Sequence, residues 1–324
     1  MDKSFITSVA KKADFPPEFI SELEAYLDFA FADGEIKRAL EEYYNLLFKG
    51  EKDIFPISLV DDIPIPEASE EKFPGFFSSV IFFVAAEHFE DYITENGLEN
   101  CKYDLSATYY KNLRRFAQMN FDQKSSYAFI KHGRYLYGYS KPYILHVGRL
   151  SYELMEQKEA PCEVYENEEG ERMLVLKGEA PKEGFEKLLK EGDYYITIHI
   201  PGNDKLTREA VEESIAEALP IIRKTFGKYN PKCFLCDSWL LSPQLLSFLK
   251  EDSNIRAFQS IFQIIKGGLC EGSLFEHIFC VPYCPVTELK PRNSFQKSIL
   301  SLYDKGERLH AGYGLLKKEY SELI

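Results

Sequence analysis

The chain has 324 residues, of which 45% are hydrophobic and 28% are charged. This length and balance leave room for a large hydrophobic core and predict about two domains, so they argue against a small disulfide-stapled scaffold and against a largely disordered chain. The 39 basic and 52 acidic side chains give a net charge of −13, which argues against nucleic acid as a partner because phosphate binding requires a basic surface.

The N-terminal part of the chain carries the hydrophobic spacing of α-helices. The predicted helices lie over 16–32, 36–49, 76–93 and 106–120. The proline-rich stretch 54–73 is predicted to be an irregular connection, and the aromatic stripes of the helices are interpreted as core packing rather than as a cofactor contact. No stretch is long and apolar enough to span a bilayer, and the N-terminus has no cleavable apolar core. We therefore expect a cytoplasmic protein without a membrane partner.

From about residue 143 the pattern changes to the alternation typical of β-strands. The predicted strands lie over 144–154, 162–165, 172–177, 194–201, 232–241, 275–281 and 312–314. A turn at 166–170 joins two of them into a hairpin. A long amphipathic helix with Thr207 as its N-cap, a short helix ending near Leu249 and a helix over 294–303 complete the prediction.

Seven cysteines are an odd number, and in a reducing compartment we expect most of them to be free thiols. Cys233 and Cys236 have the spacing of a zinc knuckle, and Cys280 with Cys284 is a second candidate pair. Cys233 and Cys236 lie inside an apolar strand, however, where residues three apart point to opposite faces. The prediction is therefore buried free thiols and no metal.

The loop after the strand at 194–201 is a candidate anion site. A strand that ends at Pro201 and leads into a helix leaves backbone N–H groups directed at the loop, which suits a pyrophosphate or a carboxylate. Lys205 and Arg208 add positive charge there. Because the loop lacks the glycine pattern of dinucleotide and phosphate loops, an ordinary strand-to-helix connection is the alternative.

Polar residues near strand ends are the other candidates for chemistry. His199 lies near the C-terminal end of its strand, which is where working residues of α/β sheets are usually found. Glu153 shares a strand with Arg149, and the segment 237–239 (Asp-Ser-Trp) ends another strand. For each of them, a purely structural role is the alternative.

Several of these segments resemble a family of bacterial two-domain proteins assigned as acyltransferases. The matching stretches are His146–Glu153, His199–Gly202 with Leu206, Thr207 and Ser214, Cys236–Leu245, Ser253–Phe258 and the glycine-rich Gly312–Leu315. The resemblance implies an α+β protein, with a helical N-terminal domain over 1–130 and a GNAT-like α/β domain over 131–324. The sheet of that second domain is expected to be mixed and mostly antiparallel.

The resemblance also implies an N-acyltransferase that moves an acyl group from acyl-CoA or acetyl-CoA to an amine acceptor. In such a fold, the strand at 196–200 splays from its neighbour to admit the pantetheine arm, and the helix at 207–226 receives the pyrophosphate. The implied cofactor-binding residues are Ile200, Gly202, Asn203, Lys205, Leu206 and Arg208. The family's glycine signature is absent from this loop, so a noncatalytic ligand-binding or partner-binding protein of the same fold is the alternative.

An acyltransferase of this kind needs a base for the ammonium proton and dipoles for the oxyanion. We expect His199 to be the base, with Glu153 as the second candidate, because an imidazole accepts a proton near neutral pH. Arg149, Ser238 and Trp239 are the expected substrate contacts. The acidic net charge favours a cationic amine acceptor.

Overall fold

The computed structural model describes residues 2–48, 65–99, 104–129, 144–158, 162–202 and 205–321. The chain divides into two compact units, Met1–His146 and Val147–Ile324. The domain boundary expected at residue 130 stays a prediction, since residues 130–143 lie outside the described ranges. Within those ranges, no helix has both the length and the apolar character needed to cross a membrane.

The N-terminal unit is helical, as predicted. Its described helices are α1 (Lys3–Lys12), α2 (Pro17–Ala32), α3 (Gly34–Phe48), α4 (Glu67–Lys72), α5 (Phe76–Glu95) and α6 (Leu105–Lys124). Helix α4 lies in the stretch predicted to be irregular. It begins directly after Pro66 and has Glu67 and Glu70 in its first turn, where a proline is tolerated and negative charge is favourable.

Aromatic rings form much of the core of this unit. Phe19 stacks on Phe76 with ring centroids 5.2 Å apart, and Phe83 meets Phe15 edge to face at 5.3 Å. Helix α5 is buried along most of its length, which explains why it appears in the sequence as a nearly continuous apolar run. The aromatic stripes of the described helices are therefore core residues.

A six-stranded sheet has the order β1-β2-β6-β7-β9-β8, and all of its strands except most of β1 lie in the C-terminal unit. Its strands are β1 (Ile144–Val147), β2 (Leu150–Glu156), β6 (Tyr194–His199), β7 (Phe234–Ser238), β8 (Phe262–Leu269) and β9 (His310–Leu316). A smaller antiparallel sheet contains β3 (Cys162–Glu166), β4 (Arg172–Leu176) and β5 (Glu186–Lys187). The β6–β7 pair is parallel, whereas β2–β6, β7–β9 and β8–β9 are antiparallel. The expected mixed, mostly antiparallel sheet is thus confirmed.

The helices of this unit connect and flank the strands. They are α7 (Arg208–Phe226), α8 (Asn254–Ser260), α9 (Glu271–Ser273), α10 (Ser294–Asp304) and α11 (Lys318–Ser321). A π-helix occupies Leu274–Phe279, and 3₁₀ turns occupy Gly227–Tyr229, Trp239–Leu241, Pro243–Ser247 and Val286–Glu288.

Two strand predictions were wrong. The single strand predicted over 144–154 is two strands, because Gly148 has φ +60° and turns the chain between β1 and β2. The strand over 275–281 is the π-helix, which ends where Cys280 adopts φ +51°. Strand β8 and helix α8 were not predicted from the sequence.

The main sheet has two chemically different faces. One is termed the back face and packs on α7; there, the Tyr152 hydroxyl lies 2.9 Å from Ser214 Oγ. The opposite face is termed the front face and carries Glu153, Thr197, His199, Leu235, Asp237, Tyr313 and Leu315. The smaller sheet covers part of the front face with an apolar cluster that includes Cys162, Val164 and Leu174 against Leu235 and Leu315.

Candidate active site

An opening between β6 and β7 is the central feature of the candidate site. The two parallel strands pair only at Ile196–Phe234 and Thr197–Leu235. Beyond these pairs, each strand continues along its other neighbour, β6 on β2 and β7 on β9. In the described part of the chain, the C-terminal ends of β6 and β7 therefore have no ladder between them, at the place where the resemblance implies a splay.

His199 and Glu153, the two predicted candidates for the base, lie beside this opening and contact each other. The antiparallel register pairs His199 with Ser151 and Thr197 with Glu153, so both titratable side chains are on the front face. His199 Nε2 lies 2.6 Å from Glu153 Oε2. The side chains are 25% and 11% exposed, so the imidazole reaches solvent while the carboxylate beneath it is largely enclosed. This contact with the carboxylate orients the imidazole ring beside the opening.

The loop after β6 is anchored by Arg149, which lies in the turn between β1 and β2. Arg149 donates from Nη1 to the Pro201 carbonyl at 2.8 Å and from Nε to the Lys205 carbonyl at 3.2 Å. Both ends of the loop are therefore held by one guanidinium. Asn203, a predicted cofactor residue within it, lies outside the described residues.

The helix that follows the loop begins as predicted. Thr207 is the N-cap of α7, and its Oγ1 accepts a hydrogen bond from the Ala210 amide at 3.3 Å. Lys205 is exposed at the loop end, whereas Leu206 is buried beneath it. Arg208 donates to Glu212 Oε1 at 2.8 Å, so its charge is already partly neutralised by a carboxylate on the next turn.

The remaining predicted cofactor residues, Ile200 and Gly202, follow β6 directly. Ile200 is half-buried and Gly202 is exposed. A Cβ atom at Gly202 would have no heavy atom within 4 Å among its described surroundings, so packing does not require glycine there. As far as the described residues show, the backbone at this point is open to an approaching ligand.

Ser238 at the end of β7 and Trp239 at the start of the following 3₁₀ turn, two of the predicted substrate contacts, have structural partners. Ser238 Oγ accepts a hydrogen bond from the Leu240 amide at 3.1 Å and so caps the 3₁₀ turn. The Trp239 indole packs against an apolar cluster, with its ring centroid 6.1 Å from that of Phe295. Neither contact tests the predicted substrate role, which stays a prediction.

Cys236 in β7 and Cys233, which directly precedes that strand, are enclosed by the protein. Cys233 and Cys236 are both buried, and burial raises the pKa of Cys233 to about 12. Burial also raises the pKa of Cys236. In the part of the chain that the structure describes, no group of three or more His, Cys, Asp or Glu side chains has a metal-binding arrangement.

Two tyrosines of the front face were missed in the sequence. Burial raises the pKa of Tyr195 to about 12, while a hydrogen bond with Thr197 acts in the opposite direction. Tyr313 pairs in register with Asp237, and its hydroxyl accepts a hydrogen bond from the Gly268 amide at 3.3 Å. The strand alternation that links residues 195, 197 and 199 is the signal that would have identified Tyr195.

Comparison with solved structures finds the same fold in acyltransferases. A mutant acyltransferase in complex with octanoyl-CoA has a TM-score of 0.69 at 17% identity, covering 96% of this chain and 86% of that one. An acyltransferase in complex with decanoyl-CoA and teicoplanin has a TM-score of 0.67 at 16% identity and the same coverage. An acyltransferase with decanoyl-CoA has a TM-score of 0.65 at 15% identity, covering 98% of this chain and 99% of that one. No curated protein matches the sequence.

The family match covers the part of the chain that forms the sheets. The model of the GNAT-like C-terminal domain matches residues 144–316, which is more than half of the chain and extends from β1 to β9. The matched segment contains the opening between β6 and β7, the His199–Glu153 pair and the loop anchored by Arg149. The chain therefore belongs to the family of proteins with a GNAT-like C-terminal domain.

Proposed function

We propose that this protein is an N-acyltransferase that uses an acyl-CoA thioester as donor and an amine as acceptor. The observation that carries the proposal is the hydrogen-bonded His199–Glu153 pair beside the opening of the parallel strands. A base is needed at the place where an amine meets a thioester, and here the base candidate is already oriented by a carboxylate. The acyl-CoA complexes of proteins with the same fold support this choice of donor.

The donor is proposed to enter between the ends of β6 and β7 and to contact the loop that Arg149 holds. The residues assigned to its binding are Ile200, Gly202, Asn203, Lys205, Leu206 and Arg208. Amides at the start of α7 and the exposed Lys205 supply the positive potential that phosphates require. Because Arg208 is paired with Glu212, Lys205 is the stronger of the two cationic contributors.

The reaction is direct transfer. His199 takes a proton from the acceptor ammonium, and Glu153 stabilises the resulting imidazolium. The free amine attacks the thioester carbonyl, the new C–N bond forms, and the C–S bond breaks as the nitrogen gives its second proton to solvent. Backbone N–H groups near Ile200 and Gly202 are assigned to the developing oxyanion, and the thiolate of CoA leaves and is protonated by solvent.

Thermal shift with acetyl-, octanoyl- and decanoyl-CoA tests the donor assignment. A ligand at a hundred times its Kd adds about 2.7 kcal/mol to the free energy of unfolding, which is a measurable shift. No shift with any of the three would overturn the donor assignment. Binding without turnover against a panel of amines would instead identify the noncatalytic alternative.

His199→Gln tests the chemistry. The amide retains hydrogen bonding and volume but does not titrate, so kcat should fall about a hundredfold while the acyl-CoA shift and the Tm are retained. His277→Gln is the matched control, because His277 lies exposed in the π-helix outside the candidate site. Full activity of the His199 variant would show that the base lies elsewhere.

A further inference from the structure

Asp237 is a carboxylate at the opening that the reaction described above does not use. It lies on β7 in register with Tyr313 of β9, and two residues beyond Leu235, the last residue that pairs with β6. On β6, His199 likewise lies two residues beyond Thr197, the partner of Leu235. Asp237 and His199 are therefore level with each other, on the same face and on opposite sides of the opening.

The carboxylate of Asp237 has neither a hydrogen-bond partner nor an ion pair among the residues that the structure describes. The groups whose pKa values its negative charge raises are Cys162, Cys236, Cys270 and Tyr313, after the larger effect of their own burial. All of these neighbours are neutral thiols or a phenol. None of them supplies a cation.

Asp237 is exposed to solvent, and desolvation by the surrounding protein nevertheless raises the pKa of its carboxyl above the ordinary value. A carboxylate in this setting is stabilised by a charge-assisted hydrogen bond when a ligand brings a cation.

No residue pair joins β6 and β7 beyond Thr197–Leu235 among the described residues, so hydrogen bonds do not hold the two strands at the ladder spacing of about 4.8 Å there. A group that enters here has His199 with Glu153 on the β6 side and Asp237 on the β7 side. The two sides differ in chemistry, since only the β6 side holds a hydrogen-bonded imidazole.

We propose that Asp237 is the acceptor subsite, and that it binds the amine substrate as its ammonium ion across the opening from His199. This inference rests on the proposed function and specifies its substrate class: amines that are protonated at neutral pH. Asp237 holds the cation through a charge-assisted hydrogen bond, and the ammonium proton then passes to His199 before attack. Tyr313, beside Asp237 in the register, forms the adjacent wall of the subsite.

A pair of amines of the same shape tests the charge requirement. 2-Phenylethylamine is a cation at pH 7, whereas O-benzylhydroxylamine, in which one methylene is replaced by oxygen, is neutral. Isothermal titration should show that the wild-type protein prefers 2-phenylethylamine, and that Asp237→Asn reduces this preference about tenfold. Because each variant is measured with both amines, partial unfolding lowers both affinities equally and leaves the preference unchanged.

The matched control is Asp252→Asn, which removes one negative charge from an exposed position of the same unit and should leave the preference unaltered. A wild-type protein without the preference, or an Asp237→Asn variant that keeps it, would overturn the inference. The acyl-CoA thermal shift is measured on the same samples and should be equal in wild type and variant. A wild-type protein without an acyl-CoA thermal shift would count against the proposed donor. The amine preference alone decides the role of Asp237.

Discussion

Ser214 of α7 provides the sharpest test of how the candidate site is held together. Its hydroxyl is fully buried and connects three groups of the β1–β2 hairpin. It donates to the Val147 carbonyl at 2.5 Å, accepts from the Leu150 amide at 3.2 Å and lies 2.9 Å from the Tyr152 hydroxyl. Ser214→Ala removes one oxygen atom and leaves all three groups buried without this partner.

The expected loss of unfolding free energy follows from the number of buried groups that lose their hydrogen-bond partner. A buried polar group that loses its hydrogen bond costs about 1 kcal/mol or more, so the variant should lose about 3 kcal/mol of unfolding free energy. The cavity left by one oxygen atom is too small to add much. For a unit of this size, that loss corresponds to a decrease in Tm of about 6–12 °C.

The protein carries its own probe for this measurement. Trp239 is the single tryptophan of the chain and lies in the unit that contains Ser214, so its fluorescence during urea unfolding reports on that unit. With a slope of about 2–3 kcal/mol/M, the midpoint should fall by about 1 M or more. Ser247→Ala is the control, because Ser247 is exposed and its substitution should cost less than about 0.5 kcal/mol.

The coupling to Tyr152 separates this network from a general loss of packing. In a double-mutant cycle with Tyr152→Phe, the two substitutions should be non-additive by about 1 kcal/mol because they share one hydrogen bond. A Ser214→Ala variant within about 0.5 kcal/mol of the wild type would refute the argument that these three groups depend on Ser214.

Further predictions concern the glycines and the thiols. Gly312→Ala should destabilise the protein by about 1–3 kcal/mol or more in the same urea assay, because its Cβ would lie 2.0 Å from the Leu241 carbonyl oxygen. Gly227→Ala has open space and a helical backbone, and should be neutral or stabilising. Alkylation at pH 8 followed by peptide mapping should label the exposed Cys280 and spare the buried thiols Cys162, Cys233 and Cys236. Elemental analysis should find no stoichiometric zinc, and one zinc per chain would contradict the assignment of the β7 cysteines as buried free thiols.

Elements with strong local signals were predictable from the sequence. The structure has the strand ending near Pro201 and the helix capped by Thr207 where the sequence predicts them. The alternation of apolar residues, the break at Pro201 and the Thr207 N-cap are all local signals. The hairpin of β3 and β4 was found for the same reason, with a turn that ends at Gly170, φ +74°. The helical N-terminal unit followed from its 3.6-residue period.

The π-helix shows how a local signal can mislead. The segment from Leu274 to Phe279 is rich in aromatic and β-branched residues, which favour strands. Its buried residues are Leu274, Phe275, Ile278 and Phe279. They form two adjacent pairs four residues apart, which lie on one side of a helix. Burial of that side in the apolar cluster around Ile299 and Leu302 outweighs the intrinsic strand preference.

The site itself was predicted as separate residues rather than as an arrangement. His199 and Glu153 were both named, but their contact depends on the register between β2 and β6, which is a long-range property. Arg149 was expected to contact substrate, whereas two of its hydrogen bonds go to the backbone of the loop. Such bonds depend on where the loop returns in space, and no residue spacing reveals them.

The interrupted ladder of β6 and β7 has a mechanical consequence. The six-stranded sheet amounts to two three-stranded ribbons, β1-β2-β6 and β7-β9-β8, joined along a seam of two residue pairs. Each ribbon is braced by antiparallel pairing, so the seam is the axis about which the ribbons can twist relative to each other with the least loss of hydrogen bonds. The amides of Ile196 and Lys232, which bond across the seam at 2.9 and 2.8 Å, are accordingly where hydrogen exchange would register such twisting.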